Sequence, residues 1–465
     1  MQLKRRHGRA RGRADRIARK RPRRLGRPGA DARDISAALA TATCALLGTS
    51  APAPVVAQEI GQWQFDTAGF YYGEASRIQD LSFRLFARNQ SSEDKYLTLT
   101  GSIDALTGAS PTGAAPSASA QRFSFPVTVT RPSGGSSTSS GYSAAPGELP
   151  VDPNFADRRF AGSAEWQRPL GRLTTLDFGG SASTERDYTH FGVDSRIAHD
   201  FNQRNTTLTA GFAYAADSVA PIGGVPVALT DWSAGALTGS SSQAKHVLDG
   251  LLGVTQVINR HTIAQLNYSV SRADGYLTDP YKILSVVDPV TGDLLPGSVP
   301  GIGLYLYEQR PDRREQKGFF GLIKHDFNQR VVVDASFRTM TDDWGIDSTT
   351  TDLHLRWDFG GDKFLEPHLR FYSQTAATFY RTVLFAGEPL PAFASADMRL
   401  GELDAVTVGL KFGAKTRSGL FSARLELYRQ SNKPSPDALV GSLRSLDLTP
   451  DLTAVIGEIT YRFKY

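Results

Sequence analysis

The last eleven residues, Val455-Ile456-Gly457-Glu458-Ile459-Thr460-Tyr461-Arg462-Phe463-Lys464-Tyr465, constrain the chain more than any other stretch. Counting back from the end, Tyr465, Phe463, Tyr461, Ile459 and Val455 fall on one face, and Lys464, Arg462, Thr460 and Glu458 on the other. Strict alternation over this length predicts a strand with one apolar and one polar face. An edge strand of a soluble sandwich would satisfy the alternation. It would also expose a row of aromatics beside unpaired backbone, which invites aggregation. A strand paired on both sides, with its apolar face against lipid, has neither problem.

The rest of the chain repeats the pattern. In Asp352-Leu353-His354-Leu355-Arg356-Trp357-Asp358-Phe359 the odd members are apolar and the even members charged or His. Val406, Val408, Leu410 and Phe412 alternate with small or polar residues, as do Phe421, Ala423, Leu425 and Leu427, and Leu208, Ala210, Phe212 and Tyr214. Segments of about ten residues with this period, separated by turn residues, are the mark of a transmembrane β-barrel. No run of about 18 apolar residues is present to form a spanning helix. Sixteen strands are predicted, within a range of 14–18: 62–73, 80–88, 95–106, 158–168, 173–184, 188–199, 206–216, 244–257, 263–273, 316–325, 331–341, 349–359, 365–380, 402–413, 420–430 and 453–465. Residues 121–130 are a further strand or a hairpin arm. The fold class is therefore all-β, a single closed antiparallel barrel.

Connections alternate in length. Short turns at 89–94, 169–172, 200–205, 258–262, 326–330, 360–364 and 415–419 face long Gly/Ser/Pro-rich loops at 107–157, 217–243, 274–315, 381–401 and 431–452. Short periplasmic turns and long extracellular loops are the asymmetry expected of such barrels. The hexapeptide His199-Asp200-Phe201-Asn202-Gln203-Arg204 recurs as His325-Asp326-Phe327-Asn328-Gln329-Arg330, which predicts two turns of one type.

Before the first strand, residues 1–34 are strongly basic, Ile35–Leu47 is a short apolar run, and small residues lead to Ala57-Gln58. This order reads as a secretory signal over 1–57 with cleavage between Ala57 and Gln58, followed by the barrel domain over 58–465. The only cysteine, Cys44, lies in that leader. Of 52 basic and 47 acidic residues, 14 and 3 fall in residues 1–34, leaving 38 and 44. The body is mildly acidic, which argues against nucleic acid as a partner.

The terminal aromatic, preceded by aromatics at every second position, resembles the signal read by the outer-membrane barrel insertion machinery. Five ordered phrases extend the likeness: Asp104-Ala105-Leu106-Thr107-Gly108-Ala109-Ser110-Pro111, Ser183-Thr184-Glu185-Arg186-Asp187-Tyr188, Asp200-Phe201-Asn202 with Asn205-Thr206-Thr207-Leu208, Tyr276-Leu277-Thr278-Asp279-Pro280-Tyr281-Lys282, and Arg310-Pro311-Asp312-Arg313. Together they resemble a family of Gram-negative envelope proteins known as domain of unknown function number thirty-five seventy. The resemblance implies the bacterial outer membrane and its lipid. It also implies gene neighbours among small lipoproteins, thioredoxin-like proteins and flavin transferases, and so a periplasmic lipoprotein or redox protein as a partner. It supplies no activity. Glu308-Gln309 stands before Arg310 where the family pattern leads one to expect another Arg.

Chemistry-bearing motifs are sparse. No Gly-x-Ser-x-Gly, phosphate loop or dinucleotide fingerprint occurs, and the eight His residues show no ligand spacing. No catalytic, cofactor or metal residues are expected. His190, Glu185 and Asp187 at a strand end are the one grouping a rim enzyme would use. Arg310, Arg313 and Arg314 with Lys282 would attract anions, or pair with Asp279, Asp312 and Glu315. Alternation places His354, Arg356, Asp358, Arg370, Arg424, Glu426 and Arg462 on the lumen side. A pore of unspecified substrate follows most directly. A sleeve for a periplasmic electron-transfer or flavin-linked partner, and a rim enzyme, are the alternatives.

Overall fold

The structure, a computed structural model, describes residues 60–75, 77–123, 128–130, 136–138 and 141–465. The leader, Cys44, the Ala57–Gln58 junction, Phe125 and Val127 lie outside them. Sixteen strands close into one antiparallel barrel in chain order. They are β1 Trp63–Glu74, β2 Ile78–Ser92, β3 Lys95–Pro111, β4 Val151–Pro169, β5 Thr174–Thr184, β6 Tyr188–Phe201, β7 Thr206–Val219, β8 Gln243–Asn259, β9 Thr262–Gly275, β10 Arg313–Asp326, β11 Val331–Asp342, β12 Asp347–Gly360, β13 Lys363–Gln374, β14 Glu402–Lys415, β15 Gly419–Lys433 and β16 Leu452–Lys464. The count is the expected one. β13 is shorter than expected, because residues 375–380 leave the wall and join the loops. β3 and β4 are longer, narrowing the first long connection to 112–150.

Closure falls on the terminal strand, as the aromatic alternation requires. β16 pairs with β1 from Gln64↔Lys464 to Glu74↔Ala454. The Trp63 N–H donates to the Tyr465 carbonyl at 3.0 Å and the Tyr465 N–H to the Trp63 carbonyl at 2.9 Å. Phe65 and Phe463, opposite each other, stack with ring centroids 5.3 Å apart. The barrel itself has no open edge, which is the condition for backbone to lie in hydrocarbon.

The two faces separate cleanly. Leu81, Phe83, Leu85, Phe178, Phe191, Phe212, Leu252, Leu353, Leu355, Trp357, Leu425 and Ile459 stand exposed on the outer face. Most of their strand neighbours turn inward and are polar or small. Phe212 is 53% exposed near the middle of β7, while Ala213 faces inward between its register partners Asp194 and Asp249. Arg on the lipid face near the midplane costs ~2–4 kcal/mol. Phe212→Arg is therefore expected to destabilise the barrel strongly, and Ala213→Arg, beside two carboxylates, to cost much less. Unfolding midpoints in urea with lipid or detergent check the order; the reverse order would mean that the faces are exchanged.

The long loops are not loose. Ile283–Val287, Tyr305–Tyr307 and Val383–Phe385 form a small sheet of their own. Gln121–Phe123 pairs with Tyr142–Ala144 and Thr128–Thr130 with Ser136–Thr138, so the 121–130 region forms hairpin arms. Ala114 and Phe123 pack with Trp232, Ile283, Ile302, Tyr305 and Tyr307. Ala115 packs with Val287, Val383, Ala438, Leu443 and Leu448. These residues come from connections rooted at β3–β4, β7–β8, β9–β10, β13–β14 and β15–β16. Connections rooted around one end of the ring thus meet and share a core, here called the cap.

The repeated hexapeptide is only half a repeat in structure. In both copies His packs edge-on against Phe at 4.5 Å, and its Nδ1 lies 2.8 Å from a Thr hydroxyl, Thr174 for His199 and Thr262 for His325. The turns themselves differ, against the expectation of one type. The first spans Asn202–Asn205 between paired Phe201 and Thr206, with left-handed φ at Asn202, Gln203 and Arg204. The second is one residue tighter. The Phe327 N–H reaches the Val331 carbonyl, only Gln329 is left-handed, and the Asn328 side chain accepts from the Arg330 and Val331 N–H groups.

Candidate functional site

The densest polar grouping on the inner face lies at mid-height on β12–β16. His354 and His368 are direct register partners on β12 and β13. Their rings lie parallel, 5° apart in tilt, with centroids at 4.1 Å. Both Nε2 atoms face one carboxylate: His354 Nε2 lies 2.9 Å from Asp352 Oδ1 and His368 Nε2 3.3 Å from Asp352 Oδ2. The opposite ring nitrogens face two others, His368 Nδ1 at 2.8 Å from Glu426 Oε1 and His354 Nδ1 at 3.6 Å from Glu366 Oε1. Glu426 reaches His368 from two strands away because β14 carries Gly409 between them, where a Cβ would sit 2.6 Å from the Glu426 side chain. The β12–β13 ladder is interrupted beside the pair. His354↔His368 and Trp357↔Leu365 are in register, but the two positions between them, at Pro367 and Glu366, are not bridged. Proline has no N–H to contribute.

The surrounding charges are paired along the wall. Arg424 bonds Glu458 and lies 3.6 Å from Glu426; Arg370 lies 4.0 Å from Asp352; Arg462 bonds Asp66. Arg356 pairs with Asp358 at 3.1 Å and lies over the Phe364 ring at 3.7 Å. On the far side of the ring Arg196 bonds Asp177 at 2.8 Å and approaches Glu165 at 3.7 Å. Each of these pairs joins residues of one strand, of neighbours, or of strands two apart, so the charges coat the wall instead of bridging the lumen.

His190 takes a different partner set from the expected one. Glu185 and Asp187 lie at the rim with Asp157, while His190 Nδ1 lies 2.7 Å from Asp217 Oδ1 and its Nε2 3.2 Å from Ser181 Oγ. Gly192 makes the Ser–His contact possible, since a Cβ there would lie 2.7 Å from Ser181 Oγ. The order Ser, His, Asp has the form of a nucleophile and its base. Yet Ser181 and Gly192 are ladder partners, so the local backbone N–H groups serve the sheet and none is aimed at an oxyanion. Tyr188 and Lys245 also bind Asp217, which fits a wall network. At the rim, burial, opposed by Arg159 and helped by Asp157 and Asp187, pushes Glu185 up to about 7.

The cap holds a buried ion cluster. Glu308 is fully buried, and Arg310 binds it at 2.6 Å and Asp397 at 2.9 Å. The Asp279 N–H also donates to Glu308, at 2.7 Å. Burial pushes the Glu308 carboxyl up despite Arg310. Burial acts the same way on Asp397 but is overcome by Arg399, Lys282 and Arg310, which hold it well below the usual carboxylate range. Of the expected pairings of the basic loop, Arg313 takes Glu315. Arg314 takes Asp342 and Asp279 takes Arg399.

His354, Arg356, Asp358, Arg370, Arg424, Glu426 and Arg462 thus all lie on the inner face, and the structure groups His354, Arg370, Arg424 and Glu426 with Asp352 and His368. Sequence reasoning missed His368 and Glu366. The signal was present: Glu366, His368 and Arg370 alternate with Leu365, Pro367, Leu369 and Phe371. The proline hid it.

A closed sixteen-stranded antiparallel barrel with an apolar outer and a polar inner face is an outer-membrane-type β-barrel. Within that class, the chain belongs to the family described as protein of unknown function (DUF3570), whose model matches residues 36–463. No curated protein matches it. Among solved structures it is similar to the ferric enterobactin receptor PfeA of Pseudomonas aeruginosa, at 9% identity over 82% of this chain and 55% of that one, with a TM-score of 0.40. It is similar to the siderophore receptor PirA of Acinetobacter baumannii at 8%, 82%, 54% and 0.39. For a bacterial polysaccharide outer membrane secretin the values are 8%, 87%, 100% and 0.41. The chain spans little more than half the length of the two receptors.

Proposed function

We propose that this protein resides in the bacterial outer membrane and passes small polar or charged solutes through its lumen when the cap opens. The observation that carries the reading is the charged inner face, whose ion pairs join residues of the same or nearby strands along the wall. Sixteen strands enclose a lumen wide enough for water. Fixed charge on such a wall biases ion flow. Arg356→Glu would add a negative group beside Asp358 and so move the reversal potential across a salt gradient toward cations, with folding nearly unchanged. The shift is expected to shrink at high salt, where the screening length is about 3 Å at 1 M. Planar bilayers with purified, folded protein make the measurement; conductance independent of the substitution would mean that Arg356 does not line the path.

The cap favours a second reading, a non-conducting sleeve that holds a periplasmic lipoprotein, electron-transfer protein or flavin-linked partner. Silent bilayers from folded protein, together with co-purification of such a partner, would select it over passage.

A further inference from the structure

The histidine pair at mid-barrel presents a protonation problem. A neutral imidazole has one N–H and one lone pair, and here every ring nitrogen of both residues faces a carboxylate. Placing both protons on Nε2, toward Asp352, turns the Nδ1 lone pairs against Glu366 and Glu426. Placing both on Nδ1 turns two Nε2 lone pairs against Asp352. Charging both rings would stack two cations in parallel at 4.1 Å. Three carboxylates thus gather around one pair of stacked imidazoles, among side chains no more than 19% exposed.

A cation beside Asp352 removes the conflict. The His368 Nδ1–H then donates to Glu426 at 2.8 Å, Glu366 stands 3.6 Å from His354 Nδ1, and both Nε2 atoms lie on the Asp352 side, where a tilt of the parallel rings brings their lone pairs onto the ion. A histidine that binds metal through one nitrogen and donates the other N–H to a carboxylate is the usual way such rings are oriented. Asp352, His354 and His368 already hold their ligand atoms within 4.8 Å of one another. We propose that Asp352, His354 and His368 form a binding site for one divalent first-row transition-metal ion on the lumen wall, with Glu366 and Glu426 orienting the two imidazoles. Two imidazoles and one carboxylate suit zinc, cobalt, nickel or iron(II), whereas calcium and magnesium demand oxygen. Three protein ligands leave positions open to the lumen. Arg370, 4.0 Å from Asp352, is the competing cation, and Arg424 and Lys411 offset the remaining negative charge.

The site was not readable as a motif because its ligands sit on two strands, and only the pairing of His354 with His368 unites them.

The test uses the full chain, without a histidine tag, folded in detergent and titrated with CoCl2 and ZnCl2. One ion per chain is expected, with visible absorption bands from cobalt. His354→Ala/His368→Ala, checked for folding by heat-modifiable migration on gels, should weaken binding at least about 100-fold. Glu426→Gln keeps all three ligands and should weaken it roughly 10–100-fold. Wild-type protein that binds neither ion overturns the proposal, as does binding unchanged in the double variant. Should the double variant not fold, crystals of wild-type protein soaked in ZnCl2 decide. An anomalous peak among Asp352, His354 and His368 supports the site, and peaks only elsewhere reject it. None of these readouts depends on conductance, so they stand or fall apart from the passage reading.

Discussion

Deleting Tyr461–Tyr465 is expected to leave a secreted but periplasmic, protease-sensitive chain with no heat-modifiable barrel in the outer membrane. These residues close the ring on both sides. Tyr461, Arg462, Phe463 and Lys464 pair with Thr67, Asp66, Phe65 and Gln64 of β1, and Tyr461, Arg462 and Phe463 with Phe421, Leu420 and Gly419 of β15. The deletion removes the Phe65–Phe463 stack and the Arg462–Asp66 ion pair together. It also exposes unpaired backbone of two strands at membrane depth, where each unsatisfied group costs several kcal/mol. The terminal aromatics are in addition what the insertion machinery is expected to read, so the defect would precede folding. Fractionation with protease protection is the measurement. Normal amounts of folded barrel in the outer membrane after the deletion would refute the role given to this strand.

The wall was legible because a closed barrel in lipid enforces period two on every strand. Leu353, Leu355, Trp357 and Phe359 had to point one way, so His354, Arg356 and Asp358 had to point the other. Legibility ends where that constraint does. The loops carry no period, and their packing depends on partners far apart in sequence. Phe123, Trp232 and Tyr305 meet from three connections rooted in different sectors, and nothing local marks any of them as a core residue. The binding groups fall between these cases. His354 was placed by alternation, but its partners were fixed by register, which sets His368 opposite it, and by Gly409, which lets Glu426 cross a strand. Register across strands is a property of the whole ring and is not encoded in either segment alone.

Arg310 is where loosening the cap should have the largest effect with the barrel left intact. It is the only cation bonded to both Glu308 and Asp397 among the described residues, and its side chain is 11% exposed against 0% and 4% for theirs. Arg310→Met would leave two carboxylates in the cap with their shared partner gone. Removing one member of a buried ion cluster costs about 3–5 kcal/mol, most of it the penalty of the charge left behind. The connections 276–312 and 375–401 should then become open to protease and to hydrogen exchange while the barrel stays heat-modifiable. Replacing Glu308 as well, with Glu308→Gln, should recover much of the loss, because Asp397 keeps its bond to Arg399 and no carboxylate is left without a cation. Acid is expected to act on the same cluster. Asp397, whose folded pKa is depressed, contributes stability that is fully present above its unfolded value near 4 and is lost as pH falls through the lower folded value. The cap should therefore hold at neutral pH and weaken only in strong acid. If the cap gates passage, bilayers containing Arg310→Met should show larger or more frequent openings than wild type. A protease-open cap without any gain in conductance would separate the cap from the path and favour the sleeve.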